Sequence, residues 1–219
     1  MSETLPVIID RVQTHQKAVA ITFDDGPNPI YTPQILEIFR EAGGKATFFI
    51  QGSNLEKYPD VAAAIHEQGH ELGNHTYSHP AMTEVSEEQR IEELQKTEEL
   101  IFQTTGGKPA VFRPPYFNCN DDVARLCGRY GYAMIGAVNG DARDWEMPGT
   151  DFILEKTLPR LAEGSVLIFH DGYDDRSQTV EAIRQLVPRL TAEGYRLVTV
   201  SELLKLAENG QACPPDDSL

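Results

Sequence analysis

Two aspartates stand side by side in TFDDGP, Asp24 and Asp25, at the end of an apolar run. Like charges in contact resist ionising together, so the pair costs free energy unless a turn exposes it or a cation separates the two roles. Asp and Gly are common turn formers, and a solvated turn accounts for the pair taken alone. Further along, HTYSH places His75 and His79 four residues apart. That spacing brings two imidazoles to one face of a helical turn, close enough to hold one divalent cation. A pair of surface histidines reads the same way, so a third ligand is needed to decide. Asp25 offers a hard oxygen, and Asp-His-His with an open position for water is the donor set of a catalytic zinc, not of a closed structural one. Asp25 then serves as ligand while Asp24 stays ionised as a general base for the attacking water. Adjacent strand residues point to opposite faces, so both reach one site only if Gly26-Pro27 turns the chain there.

Three more polar groups fit the same chemistry. Arg113, ahead of Pro114-Pro115, suits a guanidinium held at a rigid loop, where it either orients a carboxylate by a bidentate contact or forms a surface ion pair. His170 after VLIF is either a satisfied core histidine or, at the mouth of a metal-bearing sheet, an acid that protonates a leaving group. Asp144 is a candidate partner for its imidazolium form, and Trp145, the only tryptophan, is a pocket wall or core residue.

These residues need elements to bring them together. Seven short apolar runs read as strands: AVAITF from Ala18, ATFFI from Ala46, HELGNH from His70, AVFR from Ala110, AMIGAV from Ala133, VLIF from Val166 and RLVTV from Arg196. Helical patterns lie between them, over 33–42, 59–68, 121–130, 151–162, 179–192 and 201–208. A longer one starts at Ser86, where Gln89 completes a capping-box pattern, and carries Ile91, Leu94, Ile101 and Phe102 as its apolar stripe. Strict alternation argues for parallel strands with helices packed outside, as a doubly wound sheet or a closed barrel. In both, ligands bind where the carboxyl ends of the strands meet the loops. Asp24 and Asp25, HTYSH, RPPY, DARDW and His170-Asp171 all follow strands, so five motifs converge on one end of one sheet.

At 219 residues the chain is long enough for one undivided domain. A catalytic domain over 18–208 is expected, with an extension at 1–17 and a tail at 209–219. With 19 basic and 34 acidic residues the formal charge is −15, a field that repels nucleic acid and anionic membrane surfaces. The start, MSETLPVIID, has neither a basic n-region nor a long apolar stretch. The chain as written is thus expected in the cytoplasm, or outside the cell or in its wall if a leader has been removed, without a membrane segment. Cys119, Cys127 and Cys213 are too few for a disulfide framework and contain no CxxC pair.

TFDDGP, HTYSH, RPPY, DARDW and VLIFH together resemble the five ordered motifs of the polysaccharide deacetylase family, also called the NodB homology domain or carbohydrate esterase family 4. The resemblance spans about 18–204. It implies a distorted (β/α) barrel of seven parallel strands with outer helices. It also implies hydrolysis of an acetyl group on a carbohydrate: N-acetyl on a glucosamine polymer of the chitin or peptidoglycan type, or O-acetyl on xylan. A metal-independent hydrolase of small amides with the same fold should lack a metal ligand. An idle carbohydrate-binding relative would have lost Asp24 or His170. Matched residue by residue, Asp24 is the base, Asp25, His75 and His79 the metal triad, and Arg113 the group that orients the base. The backbone N–H of Tyr116 is an oxyanion donor, Asp144 tunes the acid, and His170 is the acid. Trp145 walls the acetyl methyl, and Ile168, where leucine is frequent, lines the same pocket. The implied cofactor is a divalent cation, zinc first, with cobalt or nickel as alternatives. The implied partner is an acetylated carbohydrate; the protein is expected to be a monomer, and its acidic charge argues against nucleic acid.

Overall fold

The structure, a computed structural model, describes residues 7–207. Seven strands form one parallel sheet: β1 (Ala18–Asp24), β2 (Thr47–Ile50), β3 (Glu71–Asn74), β4 (Val111–Phe112), β5 (Ala133–Met134), β6 (Val166–His170) and β7 (Arg196–Leu197). Their order is β5-β4-β3-β2-β1-β6, and β7 pairs the first two residues of β1, ahead of where β2 begins. The helices are α1 (Thr32–Ala42), α2 (Gly52–Lys57), α3 (Pro59–Glu67), α4 (Glu87–Thr105), α5 (Asp121–Tyr130), α6 (Thr150–Thr157), α7 (Ser177–Ala192) and α8 (Val200–Lys205). All seven expected strands are present, with β4, β5 and β7 cut to two residues each. The short α2 has no counterpart in the periodic reading, because a helix of six residues shows too little period to detect.

The sheet curls into a distorted barrel, and the segment ahead of β1 spans its open side. Ile9 bridges Ile135 just past β5, and Arg11 bridges Ser165 just before β6. Side chains of β1 alternate across the curl. Val19, Ile21 and Phe23 pack outward into the largest apolar cluster, with Ile35 and Phe39 of α1 and Ile183 and Leu186 of α7. Ala18 and Ala20 point inward with Phe49, Val111, Ile135 and Val166, above Val200 and Leu203 of α8. Thr22 and Asp24 continue that inward series, so the barrel interior is apolar at its floor and polar at its mouth.

Helix α4 starts as its capping box predicts: Ser86 Oγ accepts from Gln89 N–H and Gln89 Oε1 accepts from Ser86 N–H. Its buried face runs Arg90, Leu94, Thr97 and Ile101, so Phe102, one position round, is exposed instead of joining the stripe. Cys119 and Cys127 are free thiols, and Cys213 lies outside the described residues. No described helix is long and apolar enough to cross a membrane.

Candidate active site

The register between β1 and β6 sets Asp24 directly opposite His170 on the neighbouring strand, with both side chains on the inner face. Strand β3 ends one residue before His75, and β4 ends one residue before Arg113. The carboxyl ends of four strands therefore deliver the site.

Asp24 is 2% exposed, and Arg113 beneath it is 1% exposed. Arg113 Nη1 donates to Asp24 Oδ1 at 2.7 Å and to Thr22 Oγ1 at 2.7 Å. Its Nη2 and Nε donate to the carbonyls of Gly136 and Ile135 at 2.7 and 3.2 Å. The contact with the carboxylate is thus single and not bidentate: the fork is shared among four acceptors, which fixes the guanidinium in the barrel interior instead of on a surface. Burial by itself raises the Asp24 carboxyl, but the Arg113 charge, aided by His75 and His170, outweighs it and holds the carboxyl below its usual range.

The chain turns at Asp25 itself, in the left-handed region with φ 71°. This bends the chain out of the strand before Gly26-Pro27 is reached, so the turn expected at that dipeptide begins one residue earlier. Asp and Asn tolerate this conformation better than other non-glycine residues. Gly172, in the loop after β6, lies so close that a Cβ there would sit 2.1 Å from the Asp25 carbonyl oxygen, and only glycine permits that approach.

His75 and His79 do not share a helical turn. They flank an irregular loop in which Thr76 and His79 both have positive φ, 66° and 63°. The loop nevertheless converges their rings to 4.9 Å between centroids. His75 Nε2 lies 3.5 Å and His79 Nε2 3.2 Å from Asp25 Oδ1, and one ligand atom from each residue falls within 4.8 Å of the others. Asp25 Oδ1 is buried with no hydrogen-bond partner. A carboxylate oxygen left so beside two imidazoles fits a cation better than an empty contact. His75 Nδ1 lies 2.7 Å from the carbonyl of Arg113, to which it donates, leaving the Nε2 lone pair aimed at Asp25. Burial lowers the pKa of both imidazoles, which keeps them neutral as ligation requires. It raises the Asp25 carboxyl despite the nearby His170 and His79, a shift that a bound cation reverses. Asp25, His75 and His79 can therefore hold a metal ion.

Across the pocket, His170 Nδ1 donates to Asp144 Oδ1 at 2.8 Å. Asp144 Oδ2 accepts the His170 backbone N–H at 2.8 Å and the Thr179 hydroxyl at 2.9 Å. Burial pulls the imidazole down, but the Asp144 carboxylate more than offsets it and leaves the pKa at about 9. Trp145 stands edge-on to His170 with centroids 5.2 Å apart and is 42% exposed, a wall at the mouth and not a core residue. Leu167 and Phe169 join the outer cluster, so Ile168 is buried on the inner face below His170, held by backbone bonds to the Asn139 amide at 2.7 and 3.1 Å. Tyr116, with φ 58° and 71% exposed, lays its ring 4.7 Å from that of His79.

Two residues at the site carry no sequence-derived role. Asp171, next to His170, is fully buried, accepts from the Thr32 hydroxyl, and is pushed up by burial to about 7. Tyr173 adds an exposed ring 6.4 Å from His79. Its signal was a lone aromatic in a Gly- and Asp-rich loop after a strand bearing chemistry.

A family profile described as polysaccharide deacetylase matches residues 11–135, more than half of the chain. The chain belongs to the polysaccharide deacetylase family. Among curated members of that family, a peptidoglycan-N-acetylglucosamine deacetylase of Bacillus cereus is 38% identical over 195 residues, covering 89% of this chain and 91% of its own. The peptidoglycan-N-acetylmuramic acid deacetylase PdaC of Bacillus subtilis is 33% identical over 93% of this chain, which spans 42% of that longer deacetylase. A crystal structure of a peptidoglycan N-acetylglucosamine deacetylase in complex with 4-naphthalen-1-yl-N-oxidanyl-benzamide superposes with a TM-score of 0.85 at 30% identity. It covers 92% of this chain and 94% of that one. The deacetylase family's curled parallel barrel is thus the fold of this chain.

Proposed function

We propose that this family member hydrolyses the acetyl group of N-acetylglucosamine units in a peptidoglycan- or chitin-type glycan, releasing acetate and leaving a free amine. The observation that carries the reading is the unpartnered Asp25 Oδ1 between two neutral imidazoles, with Asp24 on one side and a protonated His170 on the other. A divalent cation held by Asp25, His75 and His79 supplies Lewis-acid polarisation of the acetyl carbonyl and acidifies the attacking water, and two histidines with a carboxylate suit zinc.

The chain's own residues do the rest. Asp24, kept ionised by Arg113, takes the proton of the attacking water. The N–H of Tyr116 is assigned, on the family resemblance, as the donor to the oxygen that gains charge as the carbonyl becomes tetrahedral, and one such donor is worth about 3 kcal/mol. His170 gives its proton to the departing amine nitrogen, and Asp144 holds the ring by Nδ1 so that Nε2 delivers it. Trp145 and Ile168 exclude water around the methyl. Water adds across the C–N bond, so acetate and amine account for every atom without a covalent enzyme intermediate.

The test is acetate release from N-acetylglucosamine oligomers, peptidoglycan and acetylxylan, by metal-stripped protein with and without added zinc. Zinc-dependent acetate from the first two substrates supports the proposal. Acetate from xylan alone moves the enzyme to O-deacetylation, and release that ignores the metal overturns the assignment of Asp25, His75 and His79.

A further inference from the structure

The loop between the two histidines is held in a conformation it does not favour. Thr76 and His79 are both left-handed, and neither is glycine. Such residues persist only where the surroundings over-determine them. In this loop every backbone N–H from 76 to 79 has a side-chain acceptor and none closes a helical turn. Thr76 N–H donates to Asn74 Oδ1 at 2.9 Å, and His79 N–H to Thr76 Oγ1 at 3.1 Å. The central two, of Tyr77 and Ser78, both donate to Glu93 Oε2 at 2.7 Å, and the Ser78 hydroxyl donates to Glu93 Oε1 at 2.5 Å. From the other side the N–H groups of Gly52 and Ser53 at the start of α2 donate to the Thr76 and Tyr77 carbonyls at 2.9 and 3.0 Å. A Cβ at position 52 would meet the Tyr77 ring at 2.8 Å, so glycine allows this approach.

Glu93 sits on α4 and reaches the loop from outside the pocket. It is the one charged acceptor in the set, and charge-assisted bonds are the strong ones. Two successive N–H groups on one carboxylate oxygen pin the peptides whose orientation decides where His79 points. We propose that Glu93 is a positioning residue: by holding the peptides of Tyr77 and Ser78 it sets the approach of His79 to Asp25, so that metal affinity is controlled from α4. The inference rests on the metal reading of Asp25, His75 and His79 above. A carboxylate that only anchors α4 would affect unfolding without changing how tightly the folded protein holds its ion.

The experiment measures zinc affinity by competition with a chromophoric chelator, and the absorption spectrum of the cobalt-loaded protein. It compares wild type with Glu93→Ala, Glu93→Asp, Glu93→Gln, His79→Ala and, as a control at an exposed α4 position, Glu99→Ala. Outer-shell partners of metal ligands are worth about 10- to 100-fold in affinity. Glu93→Ala is therefore expected to weaken zinc binding by about that factor and to alter the cobalt spectrum. Glu93→Asp, whose carboxylate is one methylene too short, should lose about tenfold, and it carries the test if the alanine variant does not fold. Glu93→Gln should stay within about threefold of wild type, since its amide oxygen can accept both N–H groups while its amide nitrogen donates to Ser78 Oγ. Glu99→Ala should match wild type. If His79→Ala loses zinc while Glu93→Ala and Glu93→Asp keep wild-type affinity and spectrum, the Glu93 proposal is overturned and the metal site stands. If wild type itself holds no zinc more tightly than His79→Ala, the metal reading fails and takes this inference with it.

Discussion

Asp24 and Asp144 are each 2% exposed and each is bonded to one basic group, the buried Arg113 in one half of the pocket and the partly buried His170 in the other. The two pairs are mirror arrangements of one device. In the β1–β4 half the carboxylate stands at the pocket and the cation lies behind it, tied to three further oxygens. In the β6 half the imidazole stands at the pocket and the carboxylate lies behind it, tied to a backbone N–H and to Thr179. An ion pair stabilises both of its charged forms, so an ionised carboxylate faces the pocket on one side and a protonated imidazole on the other, which in the proposed reaction serve as base and acid.

The largest break in this comparison comes from Asp24→Asn, which keeps the shape and the bond to Arg113 but removes the proton acceptor. Acetate release should fall by about 10³-fold with zinc affinity little changed, checked by steady-state kinetics beside metal titration. Near-normal turnover would show that the two halves are not base and acid. Arg113→Met tests the buried cation. It strands the Asp24 carboxylate, and unfolding in denaturant should show a loss of about 4 kcal/mol. In whatever protein folds, the acidic limb of the pH–rate profile should move up, because the group that lowers the Asp24 pKa is gone.

Asp144→Asn tests the other pair with the opposite sign. In the proposed reaction His170 acts protonated, so the rate should be lost as pH rises through its pKa, at about 9 in the wild type. Without the carboxylate that limb should fall toward the ordinary histidine value, costing about thirtyfold at pH 8 and little at pH 6. An unmoved basic limb would detach Asp144 from the acid's role. The smallest effect is expected at Trp145→Ala. A half-exposed wall loses packing against the substrate but no proton chemistry, so KM should rise about threefold with kcat nearly kept.

Much of this arrangement is legible in the chain itself. The strand runs are apolar because β1 is buried on both faces, and the polar residues that follow them stand out for that reason. The capping box at Ser86 is local chemistry and appears as read. The HTYSH spacing picked out two rings that do converge, but by another route: a spacing of four suggests a helix, whereas two left-handed residues and a carboxylate from α4 make the convergence. Glu93 lies 14 residues beyond His79 in an ordinary amphipathic helix, and nothing nearby in the chain marks it. Asp171 was likewise visible at a strand end, yet its burial against Thr32 depends on how the start of α1 meets the chain just past β6.

The order and types of the residues determined by themselves a parallel α/β architecture, the end of the sheet where chemistry collects, and the identity of the acid, base and ligand candidates. These follow from short-range periodicity and from the cost of placing polar groups after apolar strands, both of which a linear chain carries. Only the tertiary structure decided which groups meet. Register set Asp24 opposite His170, curling of the sheet turned both inward, and burial between strands distant in sequence gave each carboxylate its partner. Those contacts depend on distances through space, and the pKa of each group follows from its neighbours and its access to water, neither of which is fixed by position along the chain.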